Sequence, residues 1–237
     1  MIYFASDIHL GSGDNTTQKA TEQRFVKWLE GIEPSAEVLV LVGDIFDFWF
    51  EYKRVVPKGF VRTLGTLSRM VDNGVRVVMF TGNHDMWVDN YLSEECGIEL
   101  YTTPQILTLS GKRLYISHGD NTNIKGQPML RLMNRLFRST TLRKVASWAI
   151  HPDLFLKFGQ WWSGSSRKAH KEQTELKYLN PLIEAAETMK GEDIDHFIFG
   201  HIHIAHQCQN ITFLGNWASG CSWAEFDNNG NITLKNS

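Results

Sequence analysis

Short unbroken apolar runs recur along the chain, and each stops abruptly at charged, imidazole or amide side chains. Ile2–Ala5 ends at Ser6-Asp7, with His9 close behind. Val38–Val42 ends at Gly43-Asp44, and Val75–Phe80 at Thr81-Gly82-Asn83-His84-Asp85. Arg113–Ile116 ends at Ser117-His118-Gly119-Asp120, and Phe197–Phe199 at Gly200-His201-Ile202-His203. Continuous runs without polar alternation predict strands covered on both faces. Between them the period changes. Phe25, Val26 and Leu29 fall at helical spacing within Thr17–Leu29, and Gly31 and Pro34 follow as stop signals. A second amphipathic helix is expected over Phe60–Val71, closed by Asn73-Gly74, and a further one over Asn180–Lys190 before Gly191. The last 30 residues alternate short strands with Gly and Asn turns, as hairpins do.

This order predicts α/β layers around a partly antiparallel sheet. One stretch departs from it. Met129, Leu132, Met133, Leu136 and Phe137 form a helical apolar stripe, with Arg131, Arg135 and Arg138 on the opposite side. Residues 122–190 are read as a helical insertion, or cap, set into a body made of 1–121 and 191–237.

Charge sharpens that division. The 237 residues sum to −2, yet Asn121 to Lys171 holds ten basic residues against one acidic, a local +9. The segment also carries Trp148, Leu154, Phe155, Leu156, Phe158, Trp161 and Trp162. A basic and apolar surface together suits an amphipathic anionic partner or a membrane interface. Nucleic acid is the competing polyanion, but its grooves more often spread aromatics among polar positions, so no nucleic acid is expected. Leu154-Phe155-Leu156 and Trp161-Trp162 fit the cap's own core equally well. A hydrophobic content of 42% excludes a disordered chain. No run of ~18 apolar residues predicts a spanning helix, and MIYFASDIHLG does not read as a signal peptide. Three widely spaced cysteines, Cys96, Cys208 and Cys221, suit a reducing, cytoplasmic setting.

The polar clusters carry the chemistry. Parallel strands bring their carboxyl ends to one edge, where open α/β sheets bind ligands. Buried Asp, His and Asn without partners are costly, and a cation is the natural compensation. Asp7, His9, Asp44, Asn83, His118, His201 and His203 offer nitrogen and oxygen donors and no thiolate, a set suited to Mn, Fe or Zn. Seven donors are too many for one ion. Two ions ~3.5–4 Å apart sharing a carboxylate fit better, and such pairs stabilise in-line displacement at phosphorus. Any one such cluster alone is commonplace in sequences. It is their succession, each behind an apolar run, that points to a metal site.

The series DxH, GD, GNHD, HGD and GHxH resembles the calcineurin-like metallophosphoesterase family over residues 7 to 203. The resemblance implies a four-layer αββα sandwich with two divalent metals, Mn2+ first among them. It implies that Asp7, His9, Asp44 and His203 hold one metal, and that Asp44, Asn83, His118 and His201 hold the other. His84 falls on the position that stabilises the transition state or protonates the leaving group, with Asn83 beside it and Asp85 on the position that orients it. SDIHLG, VGDIFDFW, the insertion after HGD, GHIH and LGNW further resemble the group that cleaves UDP-2,3-diacylglucosamine in lipid A biosynthesis. That implies a peripheral inner-membrane setting, no obligate protein partner, and substrate contacts from Asn83, His84, Ser166, His170, Lys171 and His201. That group usually reads GNRD where this chain has Gly82-Asn83-His84-Asp85. Another phosphodiester or nucleotide therefore stays open as substrate.

Overall fold

The computed structural model describes residues 1–122, 139–171, 176–189, 191–218, 220–227 and 229–236, without the side chains of 140, 160 and 165–171. Two mixed sheets face one another. The first has strand order β11-β10-β1-β2-β3-β4, built from β1 (Ile2–Ala5), β2 (Val38–Val42), β3 (Arg76–Phe80), β4 (Glu99–Tyr101), β10 (Ser222–Phe226) and β11 (Ile232–Asn236). Its β1–β4 run parallel, while β10 pairs antiparallel with β1, and β11 with β10. The second sheet has order β5-β6-β7-β9-β8, from β5 (Gln105–Leu109), β6 (Lys112–Ser117), β7 (His196–Phe199), β8 (Ala205–Cys208) and β9 (Ile211–Leu214). Here β6, β7 and β9 are parallel and the edge strands antiparallel.

Strand side chains alternate between faces, and that alternation builds the layers. Ile2, Phe4, Val40, Val42, Val78 and Phe80 turn inward against Leu114, Ile116, Ile198 and Leu214 of the second sheet. Tyr3, Ala5, Leu39, Leu41, Val77 and Met79 turn outward against α1 (Asn15–Ile32), α2 (Val61–Asp72) and α3 (Tyr91–Cys96). On the far side, Phe197, Phe199, Ile211 and Phe213 receive Leu182 and Ala186 of the helix Asn180–Thr188. The result is the expected αββα sandwich. α1 starts earlier than its apolar spacing indicates, because Asp14 caps it by accepting from the Thr17 amide at 2.8 Å.

Residues 139–171 hold α4 (Thr140–Ala149) and α5 (Pro152–Lys171). The helix Asn180–Thr188, here α6, falls within the expected 122–190 but packs on the second sheet. α5 seats on the loop after β2 through a cluster of Phe48, Phe50 and Phe155, flanked by Trp87. Gly159 lies flush on the Phe48 ring, where any Cβ would collide with it. The Arg143 guanidinium of α4 pairs with Asp89 at 2.7 Å. Phe155 is therefore core, whereas Leu154 and Trp161 stand 63% and 66% exposed and Trp148 89%. The arginine-bearing stripe expected at 129–138 lies outside the described residues. No described helix is long and apolar enough to cross a membrane.

Candidate metal centre

All five polar clusters meet at one edge of the sandwich. Asp7 and His9 leave β1, Asp44 leaves β2, Asn83–Asp85 leave β3, His118 leaves β6, and His201 and His203 leave β7. The backbone turns sharply to aim them. Asp7, His9, Asp44 and His201 all have left-handed φ, between 51° and 65°. Such angles are uncommon for residues with a Cβ, and Asp and His tolerate them better than most. Gly43, at φ 82°, passes so near His118 that a Cβ would lie 2.5 Å from Nδ1. Gly82 and Gly200 are equally hemmed in, against Asp44 and Ser6.

The side chains form overlapping triads: Asp7, His9 and His203; His9, Asp44 and His84; Asp44, His118 and His201. His203 Nε2 lies 3.2 Å from Asp7 Oδ1 and 3.2 Å from His9 Nε2. Asp44 sits at the centre. Its Oδ1 accepts from the His84 amide at 2.8 Å. Its Oδ2 faces His118 Nε2 at 3.4 Å, His84 Nε2 at 3.9 Å and His9 Nε2 at 4.0 Å. His118 donates from Nδ1 to the Val42 carbonyl at 2.8 Å, which turns Nε2 into the cluster.

Electrostatics follow from the crowding. Burial raises the Asp7 carboxyl, but the His203 hydrogen bond and the His118 charge outweigh it and hold Asp7 at about 2. Asp44 is likewise held well below the carboxylate range, with His118 and His84 outweighing burial. Burial pushes His9 down to about 3. His118 moves well above its usual value because Asp44 outweighs burial there.

The residues present fit a divalent cation. Asn83 Oδ1 is buried with no hydrogen-bond partner, while Asp7 Oδ1 and His118 Nε2 are buried against His203 Nε2 at 3.2 Å and Asp44 Oδ2 at 3.4 Å, a crowding of buried polar atoms that cation coordination relieves. Donor atoms facing one another at 3.2–4.0 Å match the spacing of ligands around one ion with bonds of about 2.1 Å.

Asp85 has another task. Its carboxylate accepts from the amides of Gly82 at 2.7 Å, Ile45 at 2.8 Å, and Asp44 and Phe46 at 3.3 Å, so it shapes the two loops that carry Asp44 and Asn83. Burial and the Asp44 charge push it up to about 6. The His84 ring is held instead by the Asp47 carbonyl and by Ser163 Oγ of α5, each 3.0 Å from Nδ1. Sequence reasoning missed both. Asp47 stands three residues after Asp44 in Gly43-Asp44-Ile45-Phe46-Asp47, which was its available signal, whereas Ser163 had none. Ser166, His170 and Lys171 fall in the last turns of α5, and their side chains are outside the described set.

Residues 1–205 match the calcineurin-like phosphoesterase family. A Porphyromonas gingivalis protein named UDP-2,3-diacylglucosamine hydrolase is 33% identical, over 95% of this chain and 94% of that one. Proteins of the same name are 27% identical in Haemophilus influenzae, over 91% and 90% of the two chains, and 26% in Nitrosococcus oceani, over 93% and 88%. The chain belongs to the calcineurin-like phosphoesterase family and is a metal-dependent hydrolase.

Proposed function

We propose that this protein hydrolyses the pyrophosphate bond of UDP-2,3-diacylglucosamine, as a step of lipid A biosynthesis. Water adds to the α-phosphorus, the bond to the bridging oxygen breaks, and UMP and 2,3-diacylglucosamine 1-phosphate leave. The observation that carries this reading is the exposed apolar face of α4 and α5. Val145, Trp148, Leu154 and Trp161 are exposed there, with Lys144 and Lys157 among them. That face belongs to the same cap whose Ser163 touches His84. Near-full-length similarity to proteins named for this substrate supports it.

In this reading Asp7, His9, Asp44 and His203 hold one Mn2+, and Asp44, Asn83, His118 and His201 hold a second. Bound divalent ions supply Lewis acidity, activating the attacking water and neutralising phosphoryl charge. The chain's own groups do the rest. With Nδ1–H given to the Asp47 carbonyl, His84 as imidazolium presents Nε2–H to the phosphoryl group, bonding a non-bridging oxygen or passing that proton to the departing one and so becoming the neutral Nδ1–H imidazole. Asp85 keeps the loops of Asp44 and Asn83 in register. The cap, residues 122–190, takes the acyl chains, and Ser166, His170 and Lys171 are its candidate substrate contacts. Its basic, apolar face rests on the anionic inner-membrane surface, on the cytoplasmic side.

The test is UMP release, followed by chromatography, from the lipid substrate in mixed micelles by the Mn-loaded protein. We expect turnover with the acylated substrate and little with UDP-glucosamine. No UMP from the acylated substrate overturns the reading. His84, where the lipid-cleaving group usually has Arg, favours a second reading: another phosphodiester or nucleotide of the same superfamily. Faster turnover of an unacylated nucleotide diester would establish it.

A further inference from the structure

Three buried features of α5 share one face. Phe155, Gly159 and Ser163 are spaced by four residues, so they stack along the side turned to the body. Phe155 anchors in the aromatic cluster. Gly159, lacking a side chain, lets the helix settle against the Phe48 ring. One turn further on, Ser163 is 1% exposed and its Oγ lies 3.0 Å from His84 Nδ1. The Asp47 carbonyl lies 3.0 Å from the same nitrogen. A carbonyl can only accept, so Nδ1 carries the proton and the two oxygens share it. One oxygen comes from the loop after β2 and the other from the cap. Together they fix the ring plane and leave Nε2 facing Asp44 Oδ2 at 3.9 Å.

We propose that Ser163 is a positioning residue for His84, so that the catalytic imidazole is aligned only when the cap helix α5 is seated on the body. This rests on phosphoester hydrolysis at the site and not on the lipid substrate. Ser163 acts on His84, which is not among the seven residues assigned to the two metals. Its effect therefore belongs to the chemical step, and not to metal loading or to substrate capture.

The experiment measures kcat and KM on bis(p-nitrophenyl) phosphate, an activated diester that needs no acyl chain. The full-length, metal-loaded proteins compared are wild type, Ser163→Ala, Ser163→Thr, His84→Ala, and the double variant Ser163→Ala with His84→Ala. We expect Ser163→Ala to lower kcat about 10-fold or more with KM within twofold and bound metal unchanged. Ser163→Thr, which keeps the hydroxyl, should recover most of that loss. In the His84→Ala background, Ser163→Ala should change kcat less than twofold, because there is no ring left to align. Gly159→Val, which lifts α5 off Phe48 without altering the site's chemistry, should reproduce the kcat loss. Four results would each overturn the proposal: an unchanged kcat in Ser163→Ala, a loss confined to KM, a loss of bound metal, or a full additional loss in the double variant. Failure to release UMP from the lipid substrate would leave these outcomes readable, since none uses that substrate.

Discussion

Asp44 shows how little of a side chain's placement follows from its chemical identity alone. Its left-handed backbone, at φ 54°, swings the carboxylate away from its own strand. One oxygen is pinned by the His84 amide and the other is left to three imidazoles. The motif made Asp44 legible in the sequence, because a carboxylate after a buried run has no apolar purpose. Its backbone geometry was not legible, nor was the use of Asp85, since four convergent amides are a property of two loops meeting. A different residue carries a pH dependence of folding. His196, half-buried at the start of β7, is held by burial at about 4 and contacts Thr212 Oγ1 at 2.9 Å. Between its usual value near 6.5 and 4, the unfolded chain binds a proton that the folded chain refuses. The stability due to this group is therefore complete above that window and lost as pH falls through it, at no more than about 1.4 kcal/mol per pH unit. Urea midpoints at pH 7 and pH 4.5 should fall further for wild type than for His196→Gln. An equal fall in both would refute the assignment.

At the level of elements, strands were easier to read than their partners. β1, β2 and β7 are nearly all buried, so hydrophobic runs mark them. β4 and β5 lie at sheet edges with half-exposed side chains, and α3 spans only six residues, so no periodic signal marks any of them. The stretch holding α4 and α5 was legible as basic and aromatic in sequence, but the seating of its helices was not. That seating depends on Phe155 meeting Phe50 with ring centroids 4.4 Å apart and Trp87 at 5.5 Å. This cluster is separate from the cores between and outside the sheets. Truncating a packed Phe to Ala costs roughly 3–5 kcal/mol, and here the loss should fall on α4 and α5 rather than on the whole fold. Phe155→Ala should speed limited proteolysis within 139–171 severalfold and leave the main melting transition nearly in place. A large, cooperative drop in Tm with no faster cap cleavage would show that the cap and sandwich unfold as one.

Across the whole molecule, the sandwich exists to hold unfavourable groups together. Asp7 and Asp44 are buried at 0% and 2% exposure among four histidines. An ion that binds this arrangement and not the unfolded chain stabilises the fold by about 2.7 kcal/mol at a hundredfold excess over Kd. For a chain of this size that corresponds to about 5–10 °C in Tm. Scanning fluorimetry should show Tm rising by that order with Mn2+ and returning with chelator, and Asp44→Ala should abolish most of the response. A wild-type Tm indifferent to Mn2+ would count against metal binding at this edge. The topology adds a matter of timing. β1 carries Asp7 and His9 into the site, and it lies between β2 and β10, with Ile2 opposite Phe226. The Asp7 carbonyl also waits for the Trp217 amide. During synthesis the donors that leave the ribosome first, Asp7 and His9, thus gain their last strand neighbour only when β10 has followed.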